Sequence, residues 1–415
     1  MVNGDSGEVR ALMKVKKRKG GRRRIAILVA VGAAGLAAGL IFFLIMGPRL
    51  LPPTPKIAGT VERVENLGTR DIPEKSRTAA DVQSVTLYRI IYWTTGYAGL
   101  PVLASGLLVV PVDRIPSGVV SYQHGTVTDR HAVPSFATEG GEFAVICYFA
   151  GAGYIVAAAD YVGLGISGGI HPYVLAQSTA DAVIDMLKAS YTHTTATLHI
   201  LWPERLFLTG ISQGGYSSVV AHRQLERRGD SRFTVAADAP IAGPYNLRDV
   251  SLPYILEGKS EQDSVFVAFV LNAYAVVYRK QLDTLFSEKY SGRVPGLFDG
   301  GHSLEDLMSR LPPRPRDMLI SNFDSELKQG RAAWLAAALL ENEPFDWTPR
   351  APIRLYYGGA DKIISPRDAP LAARRFRDRG GDVMAVSYGN YGHDQSFRAL
   401  PPVRSWFISF DNADR

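Results

Sequence analysis

From residue 84 onward, short apolar runs rich in β-branched residues alternate with stretches whose apolar positions recur every three or four residues. Alternation between strand-like and helix-like periods predicts an α/β architecture, a mostly parallel sheet covered by helices on both faces. Strands are expected at 85–93 and 106–112, joined by a turn around 96–99, and then at 118–122, 154–159, 205–211 and 235–238. A crossover helix is expected to begin at the capping-box sequence Ser178-Thr179-Ala180-Asp181, with Val183, Ile184, Leu187 and Tyr191 on its apolar face. Another should run over 214–228 and stop at Gly229. Beyond Gly243 the regularity lapses. It resumes with a strand at 353–357, a helix over about 368–378, a strand at 383–388 and a last helix after His393. Residues 245–347 therefore read as an inserted cap. Within it VFVAFVLNAYAVVY, residues 265–278, is apolar on every face yet too short to span a bilayer, so it packs in the cap's interior or roofs a ligand cavity.

The N-terminus has a different character. IAILVAVGAAGLAAGLIFFLIM runs over 25–46 without a charge, and these 22 residues make about 33 Å of helix, the thickness of a bilayer's hydrocarbon. Immediately before it lies KVKKRKGGRRR, which by the positive-inside rule stays cytoplasmic and sends the rest of the chain outward. A cleaved signal peptide shares this layout. The apolar run is longer than the usual h-region, however, and no small-x-small site follows Met46, so an uncleaved anchor is the expectation. The expected organisation is a basic segment 1–24, a transmembrane helix 25–46, a Pro-rich spacer 47–57 and one α/β domain over 58–415.

Charge narrows the partners. The whole chain has 46 Lys/Arg and 40 Asp/Glu, a net +6. Residues 1–24 hold 9 and 2 of these, so the remainder carries 37 against 38, a net −1. A folded domain with that balance offers no basic face, and nucleic acid is not an expected partner. Cys147 is the only cysteine, so an intramolecular disulfide is impossible; within its apolar run it reads as a small buried hydrophobe.

The pattern G-x-S-x-G occurs twice, at Gly165-Ile166-Ser167-Gly168-Gly169 and Gly210-Ile211-Ser212-Gln213-Gly214. With 28 Ser and 40 Gly in 415 residues, roughly 0.3 matches arise by chance, so context must choose. A nucleophilic serine of this kind needs a strand leading into a sharp turn and a helix leaving it. Ser212 has both, since RLFLTGI enters and GGYSSVVAHRQLERR leaves; the helix N-terminus also favours developing negative charge. Ser167 has neither: its strand ends near residue 159, and His171-Pro172 stands where the helix would start.

In parallel-sheet serine hydrolases the acid and then the histidine follow the nucleophile along the chain. Downstream of Ser212 lie His222, within the helix that follows it, His302, inside the cap, and His393, just past the strand VMAVSY. His393 is the expected base. Asp361, in the loop after IRLYY, is the expected acid; Asp368 suits a helix N-terminus and Asp382 a Gly-Gly-Asp turn. The oxyanion of a tetrahedral intermediate requires two backbone N–H donors. Gln213 is expected to supply one, and Gln123-His124-Gly125-Thr126, ending the 118–122 strand, the other from Thr126 or Gly125. His124 precedes the nucleophile and reads as structural. No metal or cofactor motif is present in the sequence.

Taken together, the segments SYQHGT (121–126), AADYVGLG (158–165), HPYVLAQSTADAVIDMLKAS (171–190), LFLTGISQGGYSS (206–218) and YYGGADKIIS (356–365) resemble the secreted-lipase family of α/β-hydrolases that includes the Candida lipase A type. The resemblance implies the α/β-hydrolase fold, a helical cap over an acyl pocket, esterase or lipase activity, and Ser212, Asp361 and His393 as triad; the apolar cap adds the expectation of hydrophobic acyl esters as substrates. The chain departs from that family in its single cysteine and its anchor-like N-terminus. A serine peptidase on the same fold and an inactive membrane-tethered binding protein are the competing readings. The first would need an acidic pocket for a peptide amine, and the second a broken triad.

Overall fold

The computed structural model describes residues 56–74, 77 and 81–411. The expected transmembrane run at 25–46 lies outside them; among the described residues no helix is long and apolar enough to cross a membrane.

Nine strands form one sheet in the order β1-β2-β3-β5-β4-β6-β7-β8-β9. The strands are β1 (Val61–Asp71), β2 (Ser84–Thr95), β3 (Pro101–Pro111), β4 (Gly118–Gln123), β5 (Tyr154–Ala159), β6 (Leu206–Ile211), β7 (Val235–Ile241), β8 (Ile353–Tyr357) and β9 (Val383–Ser387). The first three are antiparallel, β3 meets β5 antiparallel, and every pairing from β5 to β9 is parallel. Central strands β4 and β5 are buried at all positions, as continuous apolar runs covered on both faces should be.

Two elements escaped the sequence pattern. β1, VERVENLGTRD, is a mostly exposed edge strand with register shifts at Val61/Arg63 and Asn66/Gly68, so it carries no apolar alternation. Helix α1 (Gly141–Gly151) is apolar nearly throughout, and a run without a polar face shows no period to read. Cys147 lies buried in it, its thiol pushed up to about 12 by burial.

Helices α2 (Ala176–Thr192) and α3 (Gln213–Arg228) cover one face of the sheet. The expected capping box is not used. Leu175 is the N-cap, and Ser178 lies inside the helix, where its buried hydroxyl has no partner. Tertiary burial of the preceding turn has extended the helix backward past its local stop signal. α3 ends as expected, with Gly229 left-handed at φ 63 and its N–H donating to Leu225 O.

Between β7 and β8 the chain forms helices α4 (Leu252–Ile255), α5 (Asp263–Val277), α6 (Glu288–Ser291), α7 (Leu304–Arg310), α8 (Phe323–Gln329) and α9 (Ala333–Glu341), with short 3-10 and π turns, and these make up the cap segment. α5 is its axis. Phe269 on α5 is stacked between Tyr173 at 4.4 Å and Phe298 at 4.7 Å, pairs each worth about 1 kcal/mol beyond their burial. After β8, α10 (Asp368–Arg377) packs near α3, and α11 (Leu400–Asp411) joins α1 on the opposite face.

Asp368, a rival for the catalytic acid, is buried and spent on the cap's entry. It accepts the Tyr245 and Asn246 amides at 3.1 Å each and the Ser251 hydroxyl at 2.7 Å. Burial raises its pKa despite those donors.

Candidate active site

Register decides which loops meet. β4 pairs with β6 so that Gln123 faces Gly210, and β6 with β7 so that Ile211 faces Ile241. The loop after β4 and the turn after β6 therefore leave the sheet side by side, at the carboxyl end of the parallel strands, where ligands bind in such sheets.

Ser212 occupies that turn with φ 61 and ψ −120, a conformation costing about 1–3 kcal/mol for a residue with a Cβ. The surroundings hold it there. Its N–H donates to Ile241 O at 2.9 Å and its carbonyl accepts from Gly215 N at 2.9 Å. The flanking glycines are obligatory on steric grounds: a Cβ on Gly210 would lie 2.5 Å from Gln123 O, and one on Gly214 only 2.0 Å from it.

Asp361 and His393 arrive from the loops after β8 and β9. Ser212 Oγ lies 2.9 Å from His393 Nε2, and His393 Nδ1 lies 2.7 Å from Asp361 Oδ2. A carboxylate can only accept, so Nδ1 carries the proton and Nε2 is free to accept from the serine hydroxyl. Asp361 is 3% exposed, and its other oxygen accepts the Ile363 and Ile364 amides at 2.8 and 2.9 Å. The carboxylate is thus fixed in rotation as well as position. Tyr254 of the cap donates its hydroxyl to Asp361 O at 2.7 Å, touching the same loop.

The two alternatives for the second oxyanion donor are not equivalent. Gly125 N–H donates to Glu142 Oε1 at 3.1 Å, and the Tyr122 hydroxyl holds the other oxygen of that carboxylate. The Gly125 amide is therefore occupied, a correction to the sequence expectation. Thr126 N–H enters no hydrogen bond among the described residues, and its hydroxyl meets the Tyr173 hydroxyl at 2.7 Å. Glu142, which braces this loop from the start of α1, had no sequence signal beyond an acidic residue in a helix's first turn.

The other candidate histidines and carboxylates from the sequence have roles elsewhere. His124 Nδ1 lies 2.7 Å from Gly125 O, a structural contact. His222 is buried between Asp238 and Glu226, and His302 pairs with Asp306 in the cap. Asp382 is exposed. Ser167 is buried in a loop with its hydroxyl unpartnered and no helix after it.

No family model matches the chain, and no curated protein matches it in sequence. Solved structures do. A protein from Legionella pneumophila assigned as a hydrolase superposes with a TM-score of 0.78 at 25% identity, covering 86% of this chain and 99% of its own. The rice cell wall degrading esterase LipA from Xanthomonas oryzae, in a ligand-bound form, gives 0.74 at 23% over 86% and 98%. Candida antarctica lipase A in its closed state gives 0.67 at 15% over 86% and 84%. The fold is that of an α/β-hydrolase.

Within this fold a cavity of about 70 Å³ opens beside Ser212. Its wall is apolar, built from Phe266, Val267 and Val270 of α5, Leu339 of α9, and Ile363 and Ile364 of the acid loop. The all-apolar α5 thus serves both expected roles, interior of the cap and roof of a cavity. Val174 also lines it at φ 54, a strained backbone for a β-branched residue.

Gln213, the residue after Ser212, is held by a histidine the sequence did not single out. His171 Nδ1 faces Val162 O at 2.8 Å and must donate, so its Nε2, 2.7 Å from Gln213 Nε2, accepts the amide proton. Burial holds the His171 pKa down to about 4. The unfolded imidazole takes up a proton below about 6.5 and the folded one only near 4, so unfolding binds a proton between them. Stability from this residue is complete above pH 6.5 and lost as pH falls toward 4, by about 3 kcal/mol. Denaturant unfolding of wild type and His171→Gln across pH 4–7 should show the wild type losing that much more than the variant. Parallel curves would refute the assignment.

Proposed function

We propose that this chain is a carboxylic ester hydrolase acting through an acyl-enzyme, with hydrophobic acyl esters as substrates. The observation that carries the reading is the unbroken hydrogen-bond chain Ser212–His393–Asp361 opening onto an apolar cavity. Ser212 Oγ attacks the ester carbonyl carbon while His393 Nε2 takes its proton, and Asp361 stabilises the imidazolium. The carbonyl oxygen, now negative, is held by the Gln213 amide at the N-terminus of α3 and by the Thr126 amide from the loop after β4. Collapse expels the alcohol with the proton from His393; water then attacks the acyl carbon by the same route and frees Ser212. The esterase and the lipase among the structural neighbours support the ester class. Residues 25–46 tether the catalytic domain to a membrane, with 1–24 on the cytoplasmic face, in the same proposal.

The test is a fluorophosphonate probe on the full chain, with the adduct mapped by mass spectrometry and nitrophenyl esters assayed in parallel. Adduct on Ser212 with ester turnover is expected; neither would leave a non-enzymatic protein.

Cavity size sets the acyl length. Phe266 forms part of the apolar wall of that cavity and so bounds the room for an acyl chain. Phe266→Ala removes a ring from the wall and should shift the preference to longer chains. Two extra buried methylenes at about 0.8 kcal/mol each raise the octanoate-to-butyrate ratio of kcat/KM by about tenfold. An unchanged ratio would mean that Phe266 does not bound the acyl site.

A further inference from the structure

The loop carrying Thr126 is gripped a few residues later by the cap. Asp129 and Gly301 form an antiparallel bridge, and Arg130 N donates to Gly300 O at 2.9 Å. Gly165 N in turn donates to Arg130 O at 2.9 Å. The Arg130 guanidinium serves three carbonyls on two further segments: Ser167 O at 3.1 Å, Gly169 O at 3.3 Å and Asp299 O at 2.7 Å. A rigid planar cation with several donors can hold three acceptors at once, which a lysine ammonium on its flexible stem does less well. The glycine beside it leaves the space. Gly300 sits at φ 84, and a Cβ there would come within 2.9 Å of Arg130 Nε. The second G-x-S-x-G motif, at 165–169, thus finds a use as a carbonyl-presenting loop.

We propose that Arg130 is a positioning residue for ester hydrolysis: it clamps cap segment 299–301 and loop 165–169 to the loop that carries the Thr126 amide, and so holds the second oxyanion donor in place. The inference rests on the ester-hydrolase reading above. Removing one oxyanion donor costs 10²–10³ in kcat in well-studied hydrolases, so displacing one without deleting it should cost about 10–100-fold. Substrate binding in the apolar cavity does not pass through the clamp, and KM should stay within about threefold.

The experiment uses the full chain with Arg130→Gln, Arg130→Lys, Arg130→Ala and Gly300→Ala, measuring kcat and KM on a nitrophenyl ester and the affinity for a trifluoromethyl ketone. That ketone forms a tetrahedral adduct with its oxygen in the oxyanion hole. In Arg130→Gln, kcat and ketone affinity should fall together, with Arg130→Lys intermediate. Guanidinium chloride at non-denaturing concentration should restore part of the Arg130→Ala rate while leaving wild type unchanged. Gly300→Ala, which keeps the charge but crowds it, should reproduce the kcat-selective loss if Arg130→Gln fails to fold. Unchanged kcat in the folded variants, or a loss confined to KM with ketone affinity intact, would overturn the role. An inactive wild type would instead overturn the ester-hydrolase reading, and this role with it.

Discussion

Ser212→Ala should lower kcat on a nitrophenyl ester by about 10⁵–10⁶-fold, while Ser167→Ala stays within about twofold of wild type. Ser212 Oγ is the group 2.9 Å from His393 Nε2, and without it the imidazole has only water to activate. The amides of Gln213 and Thr126 would still polarise a bound carbonyl, which is why a small residue of catalysis survives loss of a nucleophile. The fold should tolerate the change, because the strain of the turn lies in backbone angles that Ala adopts at the same cost. Stopped assays on both variants, with thermal unfolding as a check on folding, decide the matter. Retention of more than about 1% of activity in folded Ser212→Ala would remove Ser212 from the nucleophile's role.

Asp361→Asn should cost about 10⁴-fold in kcat with little change in folding. The reason lies in how the carboxylate is held. Its Oδ1 is fixed by the Ile363 and Ile364 amides, so an asparagine would place its carbonyl oxygen there and turn its NH₂ toward His393 Nδ1. Nδ1 must then accept, the proton moves to Nε2, and Nε2–H faces Ser212 Oγ with no lone pair to take the serine proton. Fluorophosphonate labelling of Ser212 should slow in parallel with turnover. A variant within tenfold of wild type in both would mean that Asp361 does not set the tautomer.

Some of this was legible along the chain, for physical reasons that can be named. Strands buried on both faces must be continuous apolar runs, so β4, β5 and β6 announce themselves, and the turn after β6 stands out because a strand and a helix flank Gly210-Ile211-Ser212-Gln213-Gly214. Asp361 and His393 followed from chain order and from their positions just past strands. The cap was visible as a lapse of α/β alternation, and α5 as a helix with no polar face.

Other features depend on neighbours distant in sequence. β1 exists because β2 offers it an edge, not because its own residues alternate. Ser178 was a good local cap, and burial of the preceding turn overrode it. The choice between Gly125 and Thr126 turned on Glu142, 17 residues from Gly125, and the orientation of Gln213 on His171, 42 residues away. Arg130 reaches across 169 residues to Asp299. The sequence by itself determined the layered fold and the kinds of group brought together at the candidate site, since burial and period are local properties of a chain. Only the tertiary structure decided which amide is free, which tautomer is held and which segments brace them, because a hydrogen bond depends on where its partner stands in space.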